Sequence, residues 1–329
     1  LQLTSAFVLL ALALADPAQS LTWLLVGVLL TNLLAATQDI ATDGLAVDLL
    51  QHHERGLGNG VQVAGYRVGM IVGGAALLVA FEHLGWAWTF GGAAVLMLLA
   101  TVPVWRFREP ARPAQPTAAP ASVLDALRRF LGDPRRRRWL VVLALYKSGD
   151  YLGTSMLRPF FIDRGLGLTD LGVLMGAAGF SAGLLGALLG GAAVGRLGRR
   201  RALLVFGTLQ AISVASYALV TTTTGAWLYA PVIFEHLATG MATAVLFTMM
   251  MDRCRPDHAA TDYTLQASVV VLASGLAAAL GGTTAQLLGY GPNFVLGGLL
   301  SLVAVGIAWR ESIASRDAAS RQPVLRGPE

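Results

Sequence analysis

The chain has 329 residues, of which 55% are hydrophobic and only 13% charged, and its mean hydropathy is +0.62. Too few charges are present to coat a water-soluble globular domain of this size, so that class is excluded. A formal net charge of +5 and a pI near 9.8 do not point to nucleic acid, because the basic residues sit in short gaps between apolar runs with no aromatic residues interleaved. Cys254 is the one cysteine, which precludes an intrachain disulfide and argues against a thiol-ligated metal centre.

Ten apolar stretches follow in order at 1–15, 21–50, 58–82, 86–105, 139–162, 169–194, 202–221, 227–251, 263–288 and 291–309. Apart from the first, which is short, they suit the roughly 20 residues that cross a bilayer as helix. The sequence therefore predicts an all-α polytopic membrane protein. Its basic residues mark every second gap. Arg164 is the exception, Arg67, Lys147 and Arg158 lie within stretches, and every other Lys or Arg falls in an even-numbered gap or the tail. By the positive-inside rule those gaps and the C-terminus face the cytoplasm.

The fourth gap, 107–138, is long. It opens with the Pro-rich run EPARPAQPTAAP, continues with the amphipathic SVLDALRRFL and closes with Pro134 and four arginines, the pattern of a linker lying on an anionic leaflet. Four stretches precede it and six come after. With a shortened first stretch and Leu1 in place of Met, this arrangement leads us to expect about two further helices upstream, in a six-plus-six parent. A cleaved signal peptide is the alternative for 1–15, although no basic segment precedes the apolar run. The expected division is 1–106 for the rest of an N-terminal bundle, 107–138 for the linker, 139–310 for a C-terminal six-helix bundle and 311–329 for a cytoplasmic tail. A faint repeat supports two halves: QDIATDG at 38–44 and FEHLATG at 234–240 set Asp39 opposite Glu235 and Gly44 opposite Gly240.

Ionisable groups within the stretches are the functional candidates, since placing one in hydrocarbon costs at least about 2.5 kcal/mol unless it is paired or faces water. Asp39, eleven residues from the inner end of its helix, falls about 16 Å deep at 1.5 Å per residue, and Arg67, nine residues into the next, reaches a similar depth near the midplane. They either lock two helices together or handle solute and protons. Asp43 lies one turn from Asp39, and Asp48 reads as a solvated cap. Asn59, Gln62 and Tyr66 form a polar stripe that either binds a solute or bonds neighbouring helices. Lys147 and Asp150, at i and i+3, are placed to pair with each other or across the cavity, and Asp150 again reaches the midplane. We take Asp39, Asp150 and, in second rank, Glu235 as proton-coupling carboxylates, with Asn59, Gln62, Tyr66, Arg67 and Lys147 as solute ligands. Adjacent residues on a helix point about 100° apart, so Glu235 and His236 are not expected to form one site, and His236 reads as an interior histidine. Arg158 is placed at the outer interface as an anchor or gate. His52, His53 and His258 sit in loops without metal-ligand spacing.

Glycines at 65, 69 and 73, at 172 and 176, and at 186 and 190 are spaced by four, which allows close helix approach. Gly65, Gly69, Gly73, Gly186 and Gly190 are the expected packing positions.

The run Gly191-Ala-Ala-Val-Gly195-Arg196-Leu-Gly198-Arg199-Arg200 resembles the loop motif G-x-x-x-D-R-x-G-R-R of the major facilitator superfamily. Gly191, Arg196, Gly198, Arg199 and Arg200 match, whereas Gly195 replaces the motif's Asp and puts the charge relay attributed to it in question. More specific is ATQDIATDGLAVDLLQHHERGLGNGVQVAGYRVGMIVGG at 36–74, which is similar to the AmpG-like branch of muropeptide, acetyl-CoA and siderophore permeases. Leu145 to Asp150 and Arg196 to Gln210 continue the likeness. The resemblance implies a major facilitator fold, about ten transmembrane helices of a twelve-helix parent, and substrate bound between two halves. It leaves the solute open, because the Gly-Asn-Gly-Val-Gln form is at least as close to siderophore permeases.

The chain lacks a G-x-S-x-G elbow, an H-E-x-x-H pair, a P-loop lysine and a Gly-rich dinucleotide turn. The expected reading is a non-enzymatic, cofactor-free and metal-free secondary transporter, a monomer in a bacterial inner membrane. It imports a small polar solute, such as an anhydro-muropeptide or a siderophore, with protons. The rival readings are a non-transporting truncated protein or sensor, an acetyl-CoA transporter and a membrane-embedded enzyme.

Overall fold

A computed structural model describes residues 1–15, 21–109, 123–220 and 226–320. Most of the Pro-rich run of the fourth gap and the end of the tail lie outside them. Among the described residues every regular element is helical. Helices α1 (Gln2–Leu14) and α2 (Leu21–Leu49) are followed by α3 (Arg55–Met70), which passes through a π-helical turn, Ile71–Ala76, into α4 (Leu77–Arg106). The amphipathic part of the linker is α5 (Val123–Gly132), then come α6 (Pro134–Thr154) and α7 (Leu157–Ile162). The short α8 (Leu168–Leu171) runs through a second π-helical stretch, Gly172–Gly179, into α9 (Phe180–Leu197). Helices α10 (Arg199–Ser216), α11 (Tyr229–Met251), α12 (Ala259–Leu288) and α13 (Tyr290–Ser320) complete the described elements.

Seven helices among the described residues are long and apolar enough to cross a membrane: Leu21–Leu49, Val79–Arg106, Leu168–Leu197, Arg199–Leu219, Tyr229–Met251, Ala259–Leu288 and Tyr290–Arg310. Helix α1 is apolar but shorter. Helices α3 and α6 fall outside this set because they carry polar residues, Asn59, Gln62 and Arg67 in one and an opening run of arginines with Lys147 and Asp150 in the other. The break expected between the third and fourth stretches is a kink inside α4, where Gly85 takes φ 77°. A residue with a Cβ resists that conformation, so glycine alone turns the chain there without a loop.

The described helices form two compact units. The first contains Leu1–Leu49, Val68–Arg128 and Cys254–Thr264. There α1 packs on α2 and α4: Leu12 fills the space over Gly27, and the Trp86 indole donates to the Leu12 carbonyl at 2.7 Å. The apolar residues of α2 mostly point outward, with Leu21, Trp23, Leu29 and Leu33 all exposed. An apolar surface of this extent is tolerated against lipid and not against water.

The second unit contains Leu50–Arg67, Arg129–Arg253 and Leu265–Glu329. Its interior depends on small residues where helices cross. A Cβ on Gly190 would lie 2.5 Å from Met241 Cα, and one on Gly240 would strike the Gly183 carbonyl. Gly186 lies equally close to the Leu237 backbone, and Gly149 to Gly297 and Ser301. Such crossings gain dispersion over long stretches of backbone, which is the principal attraction left between helices in lipid. At one end Phe160, Phe161, Tyr217 and Phe294 close an aromatic core, with the Phe160 and Phe294 rings 5.1 Å apart and perpendicular.

The glycine ladder of α3 lies elsewhere than the spacing suggested. Additional Cβ atoms at Gly65, Gly69 and Gly73 would meet nothing within 4 Å among the described residues, whereas Gly56 and Gly60 press against Ala187 and Gly191 of α9. The reason is phase. Gly56, Gly60 and Ala64 are buried at intervals of four, and Gly65 lies one residue, about 100°, off that face.

Candidate functional site: a buried polar network

Helix α6 delivers the centre of the site. It starts at the Asp133 cap, whose carboxylate accepts from the Arg135 amide at 2.8 Å, with Pro134 in the first turn. Trp139 anchors it further: its indole donates to Gln266 at 2.7 Å while the Arg253 guanidinium stacks 3.7 Å above the ring. The Tyr146 hydroxyl donates to the Leu203 carbonyl at 3.0 Å. These contacts fix the rotation of the helix and carry Lys147 and Asp150 into the interior, where they are 5% and 3% exposed.

Lys147 Nζ donates to Asp150 Oδ2 at 2.5 Å, to Gln210 Oε1 at 3.2 Å and to Thr243 Oγ1 at 3.4 Å. Gln210 is itself held from α10, with its amide donating to the Tyr146 carbonyl at 3.0 Å. The other Asp150 oxygen lies 3.2 Å from the Thr239 hydroxyl, which is 2.9 Å from Glu235 Oε1. Glu235 Oε2 in turn meets His236 Nδ1 at 2.7 Å. One chain of polar contacts thus links α6, α10 and α11. Buried charge is tolerable in this form because every member has a partner.

Arg67, at the end of the α3 segment in this unit, projects towards α9. Its Cζ lies 5.9 Å from the centre of the Phe180 ring and 3.0 Å from where a Cβ on Gly183 would stand, so the glycine makes room for the guanidinium. Gly179 does the same for the His236 ring. From this position Arg67 acts electrostatically on both Glu235 and His236.

The structure thus joins Lys147, Asp150, Glu235 and Arg67 in one region. It corrects the expectation for His236, which pairs with its neighbour. The ring folds back towards the Val232 carbonyl, 3.1 Å from Nδ1, and the longer Glu235 side chain bends round to meet it. Asp39 is exposed on α2 and belongs to the first unit, whereas Arg67 belongs to the second. Asn59 is fully buried, and its amide donates to the Arg55 carbonyl at 2.7 Å and to Met251 Sδ at 3.1 Å, so it joins α3 to α11. Gln62 is half-buried, and Tyr66 and Arg158 are exposed. Gln210, Thr239 and Thr243 were not among the sequence candidates. The signal for the two threonines was Glu235, Thr239 and Thr243 at successive intervals of four, a polar stripe on an apolar helix.

A second charged cluster sits at helix ends in the same unit. Asp252, directly after α11, accepts from Arg55 Nη1 at 3.0 Å and Arg199 Nε at 2.8 Å, with His52 Nε2 at 3.6 Å. Arg199 also donates to the His52 carbonyl. Gly198 turns the chain between α9 and α10 at φ 77°, the conformation for which the motif needs glycine. Gly191 packs on Gly60, while Arg196 and Arg200 are exposed. Arg199 of the motif thus pairs with an acid at the end of α11, whereas position 195 offers none. In the first unit, Asp262 grips Arg255 through two guanidinium bonds of 2.6 and 2.8 Å, which raises the Arg255 pKa further above its ordinary value.

An all-helical, lipid-compatible fold with a charged interior defines a polytopic membrane protein. Residues 1–278 match the sequence profile of the Major Facilitator Superfamily, and the chain belongs to that family. It is 36% identical over 264 residues to the anhydromuropeptide permease of Escherichia coli, covering 78% of this chain and 53% of the permease. A Rickettsia conorii protein named AmpG 4 is 25% identical over 312 residues, 92% of this chain and 75% of the relative. The chain is accordingly AmpG-like, and it spans about half the length of the Escherichia coli permease. Its fold is similar to the crystal structure of the Escherichia coli fucose:proton symporter FucP, with a TM-score of 0.73 at 13% identity over 94% of this chain and 82% of the symporter.

Proposed function

We propose that the chain is a secondary active carrier that imports a polar solute with protons by alternating access. The observation that carries this reading is the network of Lys147, Asp150, Thr239, Glu235 and His236, in which titratable groups are buried inside a membrane protein and linked by hydrogen bonds. Such groups change charge at a cost set by their surroundings, so proton binding and helix arrangement become coupled quantities. Asp150 and Glu235 are the coupling carboxylates, with Asp39 a further one in the first unit. Lys147, Arg67, Gln62 and Tyr66 are the solute-side groups; the Asn59 amide serves helix packing instead.

The solute class we favour is an anhydro-muropeptide, on the strength of the 36% identity to the permease of that name, with a siderophore as the competing cargo. The carrier works as a monomer in a bacterial inner membrane with its C-terminus in the cytoplasm. About ten helices cross the membrane when α1, the α3 rod as far as Gly85, and α6 are added to the seven apolar ones. By chain order we assign residues 1–106 to one bundle and 139–310 to the other, joined by the linker 107–138 and followed by the tail 311–329, while the compact units exchange Leu50–Arg67 and Cys254–Thr264 between those halves.

Uptake into proteoliposomes, compared for anhydro-muropeptide, a ferric siderophore and acetyl-CoA with and without an inward proton gradient, tests the reading. Gradient-driven accumulation of the muropeptide is the expected result. Accumulation of none of the three, or accumulation indifferent to the gradient, overturns it.

A further inference from the structure

The outer oxygen of each carboxylate in the buried network is already taken by a nitrogen donor. Asp150 Oδ2 receives Lys147 at 2.5 Å, and Glu235 Oε2 receives His236 Nδ1 at 2.7 Å. The His236 nitrogen must carry the hydrogen, because its other neighbour, the Val232 carbonyl at 3.1 Å, is also an acceptor. The inner oxygens, Asp150 Oδ1 and Glu235 Oε1, both face one atom, Thr239 Oγ1, at 3.2 and 2.9 Å. A hydroxyl has one proton to donate. With both carboxylates ionised, only one of these two contacts is a hydrogen bond, and the other brings two oxygens together with nothing between them. One added proton satisfies both contacts at once.

We propose that Asp150 and Glu235 form a single proton-binding site, with the Thr239 hydroxyl as the bridge that shares one proton between them. The inference rests on the proton-coupled reading above and specifies which atoms hold the proton. When the proton is on Glu235 Oε1, it donates to Thr239 Oγ1 while the threonine hydrogen donates to Asp150 Oδ1. In the alternative form, Asp150 Oδ1 holds the proton and donates to Thr239, whose hydrogen donates to Glu235. Passage between the two moves two hydrogens together: the carboxylic O–H of one acid breaks as a new O–H forms on Thr239, and the threonine's own O–H breaks as one forms on the other acid. Every atom and charge is conserved.

The surroundings limit the site to a single added proton. Charged or titratable groups facing the pair are Lys147 and the buried Tyr146 on α6, Arg67 on α3, His236 on α11 and the buried Tyr217 after α10, while α9 and the π-helical stretch before it present Gly179, Phe180 and Gly183. Lys147 and Arg67 balance the two carboxylates when His236 is neutral. A first proton then leaves one net positive charge among these buried groups, and a second would leave two, which such an environment resists strongly.

The test is pH-difference infrared spectroscopy of the purified 329-residue chain in lipid nanodiscs, reading the carbonyl stretch of protonated carboxylic acids. The wild-type chain is expected to show one titrating band from this pair, and Glu235→Gln to remove it or displace its midpoint by roughly one pH unit or more. Thr239→Val, which keeps the shape and loses the hydroxyl, is expected to move the midpoint likewise, and Thr239→Ser to retain it. Asp150→Asn should have the same effect as Glu235→Gln; since it strips Lys147 of its partner, Glu235→Gln and the two threonine variants decide the matter if that protein does not fold. The shared site is overturned by two separate midpoints, each abolished by only one carboxylate variant. A Thr239→Val protein that titrates like the wild type, or no titrating band at all, overturns it too. Uptake in proteoliposomes separates this from the parent reading: titration as expected with gradient-independent uptake refutes proton coupling and leaves the shared site standing.

Discussion

The second unit contains two ionic clusters built from similar groups in different surroundings. Lys147, Asp150, Glu235 and His236 lie deep among helices, with side chains exposed by 4 to 9%. Arg55, Asp252 and Arg199 lie at helix ends with 14 to 19% exposure, beside the largely exposed ring of His52. Water and salt reach the second cluster and weaken its pairs. The first has no such relief, so each member depends on its partner, and removing one leaves a charge without an outlet. An ion pair at the helix ends therefore adjusts a conformational balance, whereas one in the interior decides whether the protein can hold its shape.

The largest test of that contrast is Asp150→Asn. It should cost about 3–5 kcal/mol by leaving the Lys147 ammonium uncompensated, visible as a lowered unfolding temperature in detergent. Replacing both partners, as in Lys147→Met with Asp150→Leu, should recover most of the stability and none of the proton-driven uptake. Recovery of uptake in the double variant would remove the network from the mechanism.

A less direct disturbance of the interior comes from Gly240, one residue beyond Thr239, whose added Cβ would strike the Gly183 carbonyl and lie 2.8 Å from the Ala187 nitrogen. Gly240→Ala should cost about 1–3 kcal/mol by overpacking. Gly69→Ala, where a Cβ meets nothing within 4 Å among the described residues, should be neutral or stabilising by up to about 1 kcal/mol through helix propensity. Equal destabilisation by the two would show that the α3 glycines are packed after all.

The smallest effect belongs to the helix-end cluster. Asp252→Asn should change stability by about 1 kcal/mol, given its partial exposure, and the change should shrink as salt is raised. Its effect should be non-additive with that of Arg199→Gln, as a double-mutant cycle would reveal. Additivity at every salt concentration would mean that the 2.8 Å contact contributes nothing measurable.

The Lys147 and Asp150 pair was legible in the sequence because a spacing of three on a helix brings side chains together almost regardless of what surrounds them. The limits of α2 and α11 were legible for a similar reason, since the apolar runs end where charged or turn-forming residues begin. The pairing of Glu235 with His236 was hidden because backbone direction alone separates adjacent residues, and the torsions of a glutamate can overcome that separation. Thr239 was hidden by chemistry: a threonine in an apolar helix commonly returns its hydroxyl to the carbonyl four residues earlier, as Thr243 and Thr248 do. Only the arrival of Asp150 from α6 gives Thr239 a second oxygen. The end of α11 was similarly opaque, because Asp252 acquires its role from arginines far away in sequence.

The π-helical stretch at Gly172–Gly179 has a consequence for any ruler laid along this chain. Its wider winding offsets the downstream side chains by about one residue relative to an uninterrupted α-helix. A Cβ on Gly172 or Gly176 would meet nothing within 4 Å among the described residues, while Gly186 and Gly190 are wedged against α11, although both pairs have the same interval. Identical spelling within such a seam and beyond it therefore addresses different neighbours, and a substitution tolerated in the first pair offers no guide to the second.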